Sequence, residues 1–246
     1  DVDLEAVGAE AALKGVRKLN PTPLPSGRYP VVLHPEVTIS LLALIAGMLS
    51  AESVLKGRSL FANKIGTLVA SPMLTLVDDA RLHWPDGRLA LGSTPWDGEG
   101  LPTRRKTLIE RGILCTYLHN LKTAAEMGCE PNASASRSLA ANPGVRTFNL
   151  FLEPGGNTPE ELYRLAWDGV LITELMGLHT VNPVSGELSL GASGLRIREG
   201  QLAEPVDRLT LAGNLKDFLT RITGLGSDVR WYGNVAGMTL LLEAMP

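Results

Sequence analysis

Hydrophobic positions recur at helical spacing in two segments of the first fifty residues. Apolar side chains return about every third or fourth position across residues 2–19, and residues 37–49 are almost continuously apolar. The second segment is shorter than the roughly 20 residues that a membrane span requires, and Glu36 and Glu52 bracket it. We therefore predict a helix over 2–19 and a buried helix over 37–49.

After a linker at 20–27, which holds three prolines and a glycine, most of the chain alternates short β-like runs with turn residues. Strands are predicted at 29–33, 67–70, 74–77, 89–91, 107–109, 113–117, 148–152, 170–174, 187–190, 195–198, 208–211 and 239–242. Helices are predicted at 119–127, 158–167 and 214–222, and an aperiodic, mobile loop at 132–145. This pattern predicts an α+β fold with a large, mainly antiparallel sheet or open barrel and a few flanking helices.

Composition narrows the class of protein. The 246 residues are 44% hydrophobic and 20% charged, which is typical of a globular protein. The net charge of −3 and a longest basic run of only Arg104–Lys106 argue against nucleic-acid binding. Two cysteines, no signal peptide and no membrane segment predict a cytoplasmic protein. Because the chain opens at Asp1, we expect it to be a piece of a longer protein.

Histidine and cysteine give no metal-binding motif. None of the four histidines lies in an HExxH or HExxxH pattern. The spacing from Cys115 to His119 resembles a ligand pair, but a buried cysteine and a surface histidine are the preferred interpretation. The segment Gly191–Gly194 resembles half of a nucleophile elbow; a strand bulge or a tight backbone crossing is preferred.

A few polar residues remain as candidates for peptide contacts or structural roles. Asp78 and Asp79 form a carboxylate pair that could hold a divalent ion or a substrate amine, although capping a turn is the preferred role. Arg104 and Arg105 could anchor a peptide carboxylate or pair with the nearby acids at positions 97 and 99. His179 and Asn182 complete the candidates, so the residues alone show no recognisable active site.

An ordered series of segments nevertheless resembles one known family, the TldE/PmbA proteins, over nearly the whole chain from residue 26 onward. The segments are 26–33, 64–66 with 71–72, 75–79, 97–100 with 102–105, 152–155, 182–186, 189–194 and 211–214. Each one is a weak signal, and their common order carries the resemblance. The family belongs with the TldD zinc metallopeptidases.

The resemblance implies that the zinc site of the TldD branch is lost here. The resemblance implies that proteins of that branch carry an H-E-x-x-x-H motif on this helix, followed by a K-G-x-S-F segment. Residues Lys56–Phe61 are similar to the second segment and therefore align this chain with the motif. The two histidines and the glutamate then fall on Leu42, Gly47 and Ala43, which offer zinc no ligand and water no base. The segment 232–237 lacks the cysteine of the active branch. No catalytic residue, metal ligand or cofactor is therefore expected in this chain, and zinc is expected only in a TldD-type partner.

The resemblance also implies an arrangement. Residues 1–25 are expected to be a helix and linker leading from an absent N-terminal domain, and residues 26–246 a TldD/PmbA-type C-terminal domain. The partner is expected to be a TldD-like subunit in a heterodimer, or a second copy in a homodimer, acting on unfolded peptide. The family is also named for modulation of DNA gyrase. The alternatives are a stand-alone peptide-binding or scaffold protein and a peptidase with an unrecognised site.

Overall fold

The computed structural model describes residues 3–245. The helices are α1 (Leu4–Val16), α2 (Pro35–Met48), α3 (Ala51–Leu55), α4 (Leu121–Met127), α5 (Pro159–Ala166) and α6 (Leu215–Thr220). The strands are β1 (Tyr29–Leu33), β2 (Leu76–Asp79), β3 (Arg105–Glu110), β4 (Ile113–Leu114), β5 (Ala135–Ser136), β6 (Gly144–Val145), β7 (Leu150–Leu152), β8 (Val170–Met176), β9 (Glu187–Arg198), β10 (Gln201–Asn214), β11 (Ile222–Leu225), β12 (Arg230–Tyr232), β13 (Val235–Gly237) and β14 (Leu240–Met245).

These strands form two six-stranded sheets and a small hairpin. The first sheet runs in the order β10-β9-β8-β1-β14-β11, the second in the order β12-β13-β7-β2-β3-β4, and β5 pairs with β6. Within the first sheet only β1 and β8 pair in parallel, and within the second only β13 and β7. The α+β class with mainly antiparallel strands predicted from the sequence is confirmed, and the strands are divided between two sheets.

The core lies between the sheets, with α2 packed inside it. Side chains alternate across β1: Val31 and Leu33 join the main cluster with α2, whereas Val32 packs against α5 on the opposite face of the sheet. The main cluster also takes in Leu76 of β2 and Leu150 of β7 from the second sheet. The two sheets are therefore held together around α2.

Helix α5 shows how local sequence fixes an element. Thr158 accepts a hydrogen bond from the Glu161 backbone N–H, and the Glu161 carboxylate accepts one from the Thr158 backbone N–H. Pro159 occupies the first helical position, where no backbone N–H is needed. The predicted helix start is confirmed, as are the helices predicted near 37–49 and 119–127.

Two predicted strands are wrong. Residues 67–70 and 89–91 make only isolated bridges, Leu68 with Ile113 and Leu89 with His83. Each run follows closely on a turn at a glycine with a positive φ, Gly66 or Gly87, and pairs at a single position instead of forming a ladder. Among the described helices none is long and apolar enough to cross a membrane.

The predicted loop at 132–145 is also only partly correct. Its first residues, 132–135, are buried, and the segment folds back on itself through β5 and β6. The exposed part is the tip at 137–142. Burial at the start comes from hydrogen bonds that a sequence pattern does not reveal, such as the Ala135 N–H donating to Asp97 at 3.0 Å.

Candidate functional site

Helix α2 carries Leu42, Ala43 and Gly47, the three positions that the resemblance aligns with the zinc-site motif of the TldD branch. His34 caps its start, since the ring Nδ1 accepts a hydrogen bond from the Glu36 backbone N–H at 3.3 Å. Burial lowers the pKa of His34. Thr38, in the second turn, donates its hydroxyl hydrogen bond to the Met238 carbonyl at 2.9 Å. The Thr38 contact ties the helix to the connection between β13 and β14.

The side chains at these three positions do not point into a common cavity. Leu42 is 3% exposed and packs in the main core, whereas Ala43 and Gly47 are exposed on the opposite part of the helix. A helix advances about 100° per residue, so positions 42 and 47 point about 140° apart. A Cβ added at Gly47 would meet no atom within 4 Å.

The inward face of α2 is ordinary apolar core. Leu41, Leu42, Ile45 and Leu49 are all buried. A void of only about 20 Å³ lies beside Leu42, lined mostly by leucine and isoleucine side chains. This space is too small and too apolar for a hydrated metal ion.

The β12–β13 hairpin occupies the segment where the active branch has its cysteine. Tyr232 donates its hydroxyl hydrogen bond to Glu36 Oε1 at 2.7 Å, which joins the hairpin to the first turn of α2. A Cβ at Gly237 would lie 2.3 Å from the Pro35 carbonyl oxygen, so the strand can approach the helix only because this residue is glycine.

Charged groups surround this junction. Lys14 of α1 lies 2.5 Å from Glu36 and 3.0 Å from Glu10, and Arg230 lies 3.2 Å from Glu10. Burial by itself raises the pKa of Glu36, but the hydrogen bonds from Lys14 and Tyr232 outweigh it and hold the pKa below its ordinary value. The Glu36 carboxylate, in the first turn of α2, is therefore committed to an ion pair with Lys14.

The residues present do not fit the zinc ion that the resemblance implies for the TldD branch. Leucine, alanine and glycine at positions 42, 43 and 47 offer no lone pair, and position 237 cannot hold a side chain without a shift of the backbone. Within residues 3–245 no group of three or more His, Cys, Asp or Glu side chains is placed to hold a metal ion.

Asp78 and Asp79 have separate roles, and the preferred interpretation of the pair as a turn cap is wrong for Asp78. Asp78 is fully buried at the end of β2, where Oδ1 accepts the Phe148 N–H at 2.6 Å and Oδ2 lies 3.1 Å from Lys106 Nζ. Burial raises the pKa of Asp78 and lowers the pKa of Lys106, because each charge is desolvated, and the attraction between them opposes both shifts. Asp79 does close a turn, accepting the Arg81 N–H at 2.8 Å.

The arginine candidates do not pair with the acids expected for them. Arg105 lies 2.6 Å from Glu153, and both side chains are about half exposed. Asp97 instead accepts backbone N–H groups from Glu99, Leu101 and Ala135. Glu99 caps the start of α4 by accepting the Leu121 N–H at 2.7 Å. Arg104 is exposed and immediately precedes β3.

His179 and Asn182 lie together in the exposed turn before β9. His179 is within a short 3₁₀ helix, Leu178–Thr180. Asn182 Oδ1 accepts the N–H groups of Val184 and Ser185 at 2.9 and 3.1 Å, which is a structural turn. The 3₁₀ helix that contains His179 packs against α2, but among the described residues no hydrogen bond joins His179 or Asn182 to α2 or to the Asp78–Lys106 pair.

The interpretation of Cys115 and His119 is reversed in the structure. Cys115 is exposed and His119 is 2% exposed. The sulfur near His119 belongs to Cys129, with Sγ 3.7 Å from Nε2. Burial lowers the pKa of His119. Cys129 and His119 are ten residues apart and are separated by the whole of α4. Their contact therefore could not be recognised from a motif spacing in the sequence.

Comparison with known proteins shows the family. The family model described as the PmbA/TldA metallopeptidase C-terminal domain matches residues 26–246. This chain belongs to the PmbA/TldD metallopeptidase family. A metalloprotease of Methanothermobacter thermautotrophicus is 33% identical over 230 residues, covering 93% of the chain and 49% of the relative. The metalloprotease PmbA of Escherichia coli O157:H7 is 29% identical, covering 98% of the chain and 50% of the relative.

Solved structures share the fold. A candidate modulator of a DNA gyrase from Thermotoga maritima superposes with a TM-score of 0.90 at 36% identity, covering 100% of the chain and 55% of that protein. TldE from Thermococcus kodakarensis has a TM-score of 0.84 at 22% identity, covering 100% of the chain and 55% of that protein, which shows the shared fold. The chain spans about half the length of the curated relatives it matches.

Proposed function

We propose that this PmbA/TldE-family chain is a non-catalytic subunit of a TldD-type zinc metallopeptidase that acts on unfolded peptides. The observation that carries the proposal is that α2 presents no metal ligand and no general base at the three positions aligned with the zinc motif. Leu42 belongs to the apolar core, and Ala43 and Gly47 supply neither a metal ligand nor a general base. A TldD-type partner would supply the zinc, the base and the attacking water.

The contribution of this chain would be geometric. It would complete a cavity around the peptide and present β-strand edges to which an extended peptide can add. The heterodimer with a TldD-like subunit is the proposed assembly, and a homodimer is the alternative. A cytoplasmic location and an N-terminal domain ahead of residue 26 belong to the same proposal.

Mixing the subunits tests this function. A denatured peptide library is incubated with the TldD-like partner alone and with the partner plus this protein. We expect the mixture to cleave faster than the partner alone. His179→Ala, at an exposed position, serves as the control variant and should weaken the stimulation at most slightly. Unchanged cleavage on addition of this protein would refute the subunit role and favour the scaffold alternative.

A further inference from the structure

A second cavity lies between the segment 60–69 and helix α6. Its volume is about 270 Å³. Leu60, Phe61 and Val69, each less than 10% exposed, form its buried part, while Leu68 is 56% exposed at its rim. The cavity is therefore an apolar pocket that opens to solvent.

Two lysines line the same pocket. They are Lys64, which follows the buried Phe61, and Lys216 in the first turn of α6. Neither lysine forms an ion pair with any residue between 3 and 245, and no aspartate or glutamate lines the pocket. Two ammonium groups without a counter-ion beside apolar walls favour a ligand that carries a negative charge on an apolar group.

The walls of the pocket are fixed by hydrogen bonds. Tyr117 donates its hydroxyl hydrogen bond to the Phe61 carbonyl at 2.7 Å, and Thr67 Oγ1 donates to the Lys64 carbonyl at 2.7 Å. The Ser71 N–H donates to the Leu219 carbonyl at 2.8 Å, which ties the segment to α6. A pocket whose backbone is already held in place binds a ligand at a smaller cost in ordering.

We propose that this pocket binds the free C-terminal carboxylate of a peptide whose last residue is apolar. The volume supports one residue: at about 30 Å³ for each group the size of a water molecule, the pocket holds on the order of nine such groups. Leucine with its terminal carboxylate has that size, whereas a long acyl chain would extend out of the pocket into solvent. The choice of a peptide over another organic carboxylate rests on the proposed function.

The test uses this protein alone, so it does not depend on a proteolytic partner. N-acetyl-leucine is the probe, and N-acetyl-leucinamide, which has the same shape without the charge, is its matched control. Binding is followed by changes in the amide NMR resonances of residues 60–69 during titration. We expect the acid to give saturable shifts at millimolar concentration. The amide should bind with an affinity about fivefold or more lower than that of the acid.

Substitution of each lysine gives the second arm. Lys64→Gln and Lys216→Gln should each weaken binding of the acid about three- to fivefold, the effect of losing one solvent-exposed ion pair, and leave the amide unaffected. Lys122→Gln is the matched control, because Lys122 is 77% exposed on α4 and does not line the pocket.

Three results would overturn the proposal. They are equal binding of acid and amide, no shift in residues 60–69 with either probe, and binding of octanoate as tight as that of N-acetyl-leucine. The first two would exclude a carboxylate site, and the third would exclude a peptide terminus as the preferred ligand. Specific binding of the acid without stimulation of a TldD-type partner would refute the proposed function but leave the pocket's chemistry intact.

Discussion

Restoring the histidine of the lost zinc motif at Leu42 should destabilise the protein severely. Leu42 is 3% exposed and packs beside a void of only about 20 Å³. Leu42→His removes the burial of a leucine side chain, which contributes about 2–3 kcal/mol. It also carries an imidazole into apolar surroundings without a hydrogen-bond partner, which costs about 1–3 kcal/mol more. We therefore expect a loss of about 4 kcal/mol in the free energy of unfolding.

The other two motif positions supply matched controls on the same helix. Ala43→Glu and Gly47→His place side chains on the exposed face, so each should change the free energy of unfolding by no more than about 0.5 kcal/mol. Urea unfolding followed by circular dichroism measures all three variants. If Leu42→His were as stable as the parent, Leu42 would face an open cavity, and the assignment of α2 to the core would be refuted.

Three further outcomes follow from the fold. Limited proteolysis should cut first within the exposed tip at 137–142; first cleavage inside β9 or β10 would contradict the sheet. Lys106→Met should cost about 3–5 kcal/mol, because Asp78 stays buried without its partner, and adding Asp78→Asn should recover much of this loss in urea unfolding; additive losses would show that the pair is not coupled. Because burial lowers the pKa of His119, the unfolded chain binds the proton more tightly. Stability should therefore fall as the pH drops below about 6.5, and His119→Gln should reduce that pH dependence in urea unfolding; an unchanged dependence would contradict this.

The sequence correctly predicted those features that depend on residues close together in the chain. Thr158, Pro159 and Glu161 form a capping box within four residues, so the start of α5 was correctly placed. The turn at Arg111 and Gly112, both with positive φ, joins β3 and β4 between the strands predicted at 107–109 and 113–117. The close approach expected near Gly194 is also present, since a Cβ there would lie 1.8 Å from the Leu171 carbonyl oxygen.

Long-range partners could not be predicted in the same way. The strands predicted at 187–190 and 195–198 are one continuous strand, β9, because its pairing with β8 and β10 tolerates the intervening glycines. Asp78 was expected in a turn because its partner Lys106 lies 28 positions away, on a neighbouring strand. The burial of Leu42 and the exposure of Gly47 follow from the direction in which α2 packs, which the family register does not specify.

The central claim is that this chain supplies no catalytic group of its own. The most direct test measures cleavage of a denatured peptide library by this protein mixed with a TldD-like partner whose HExxxH histidines are replaced by alanine. We expect no cleavage above buffer, with or without a chelator. The control mixture, which contains the intact partner in place of the inactivated one, should be active. Sustained cleavage by the mixture with the inactivated partner, resistant to chelator, would contradict the central claim.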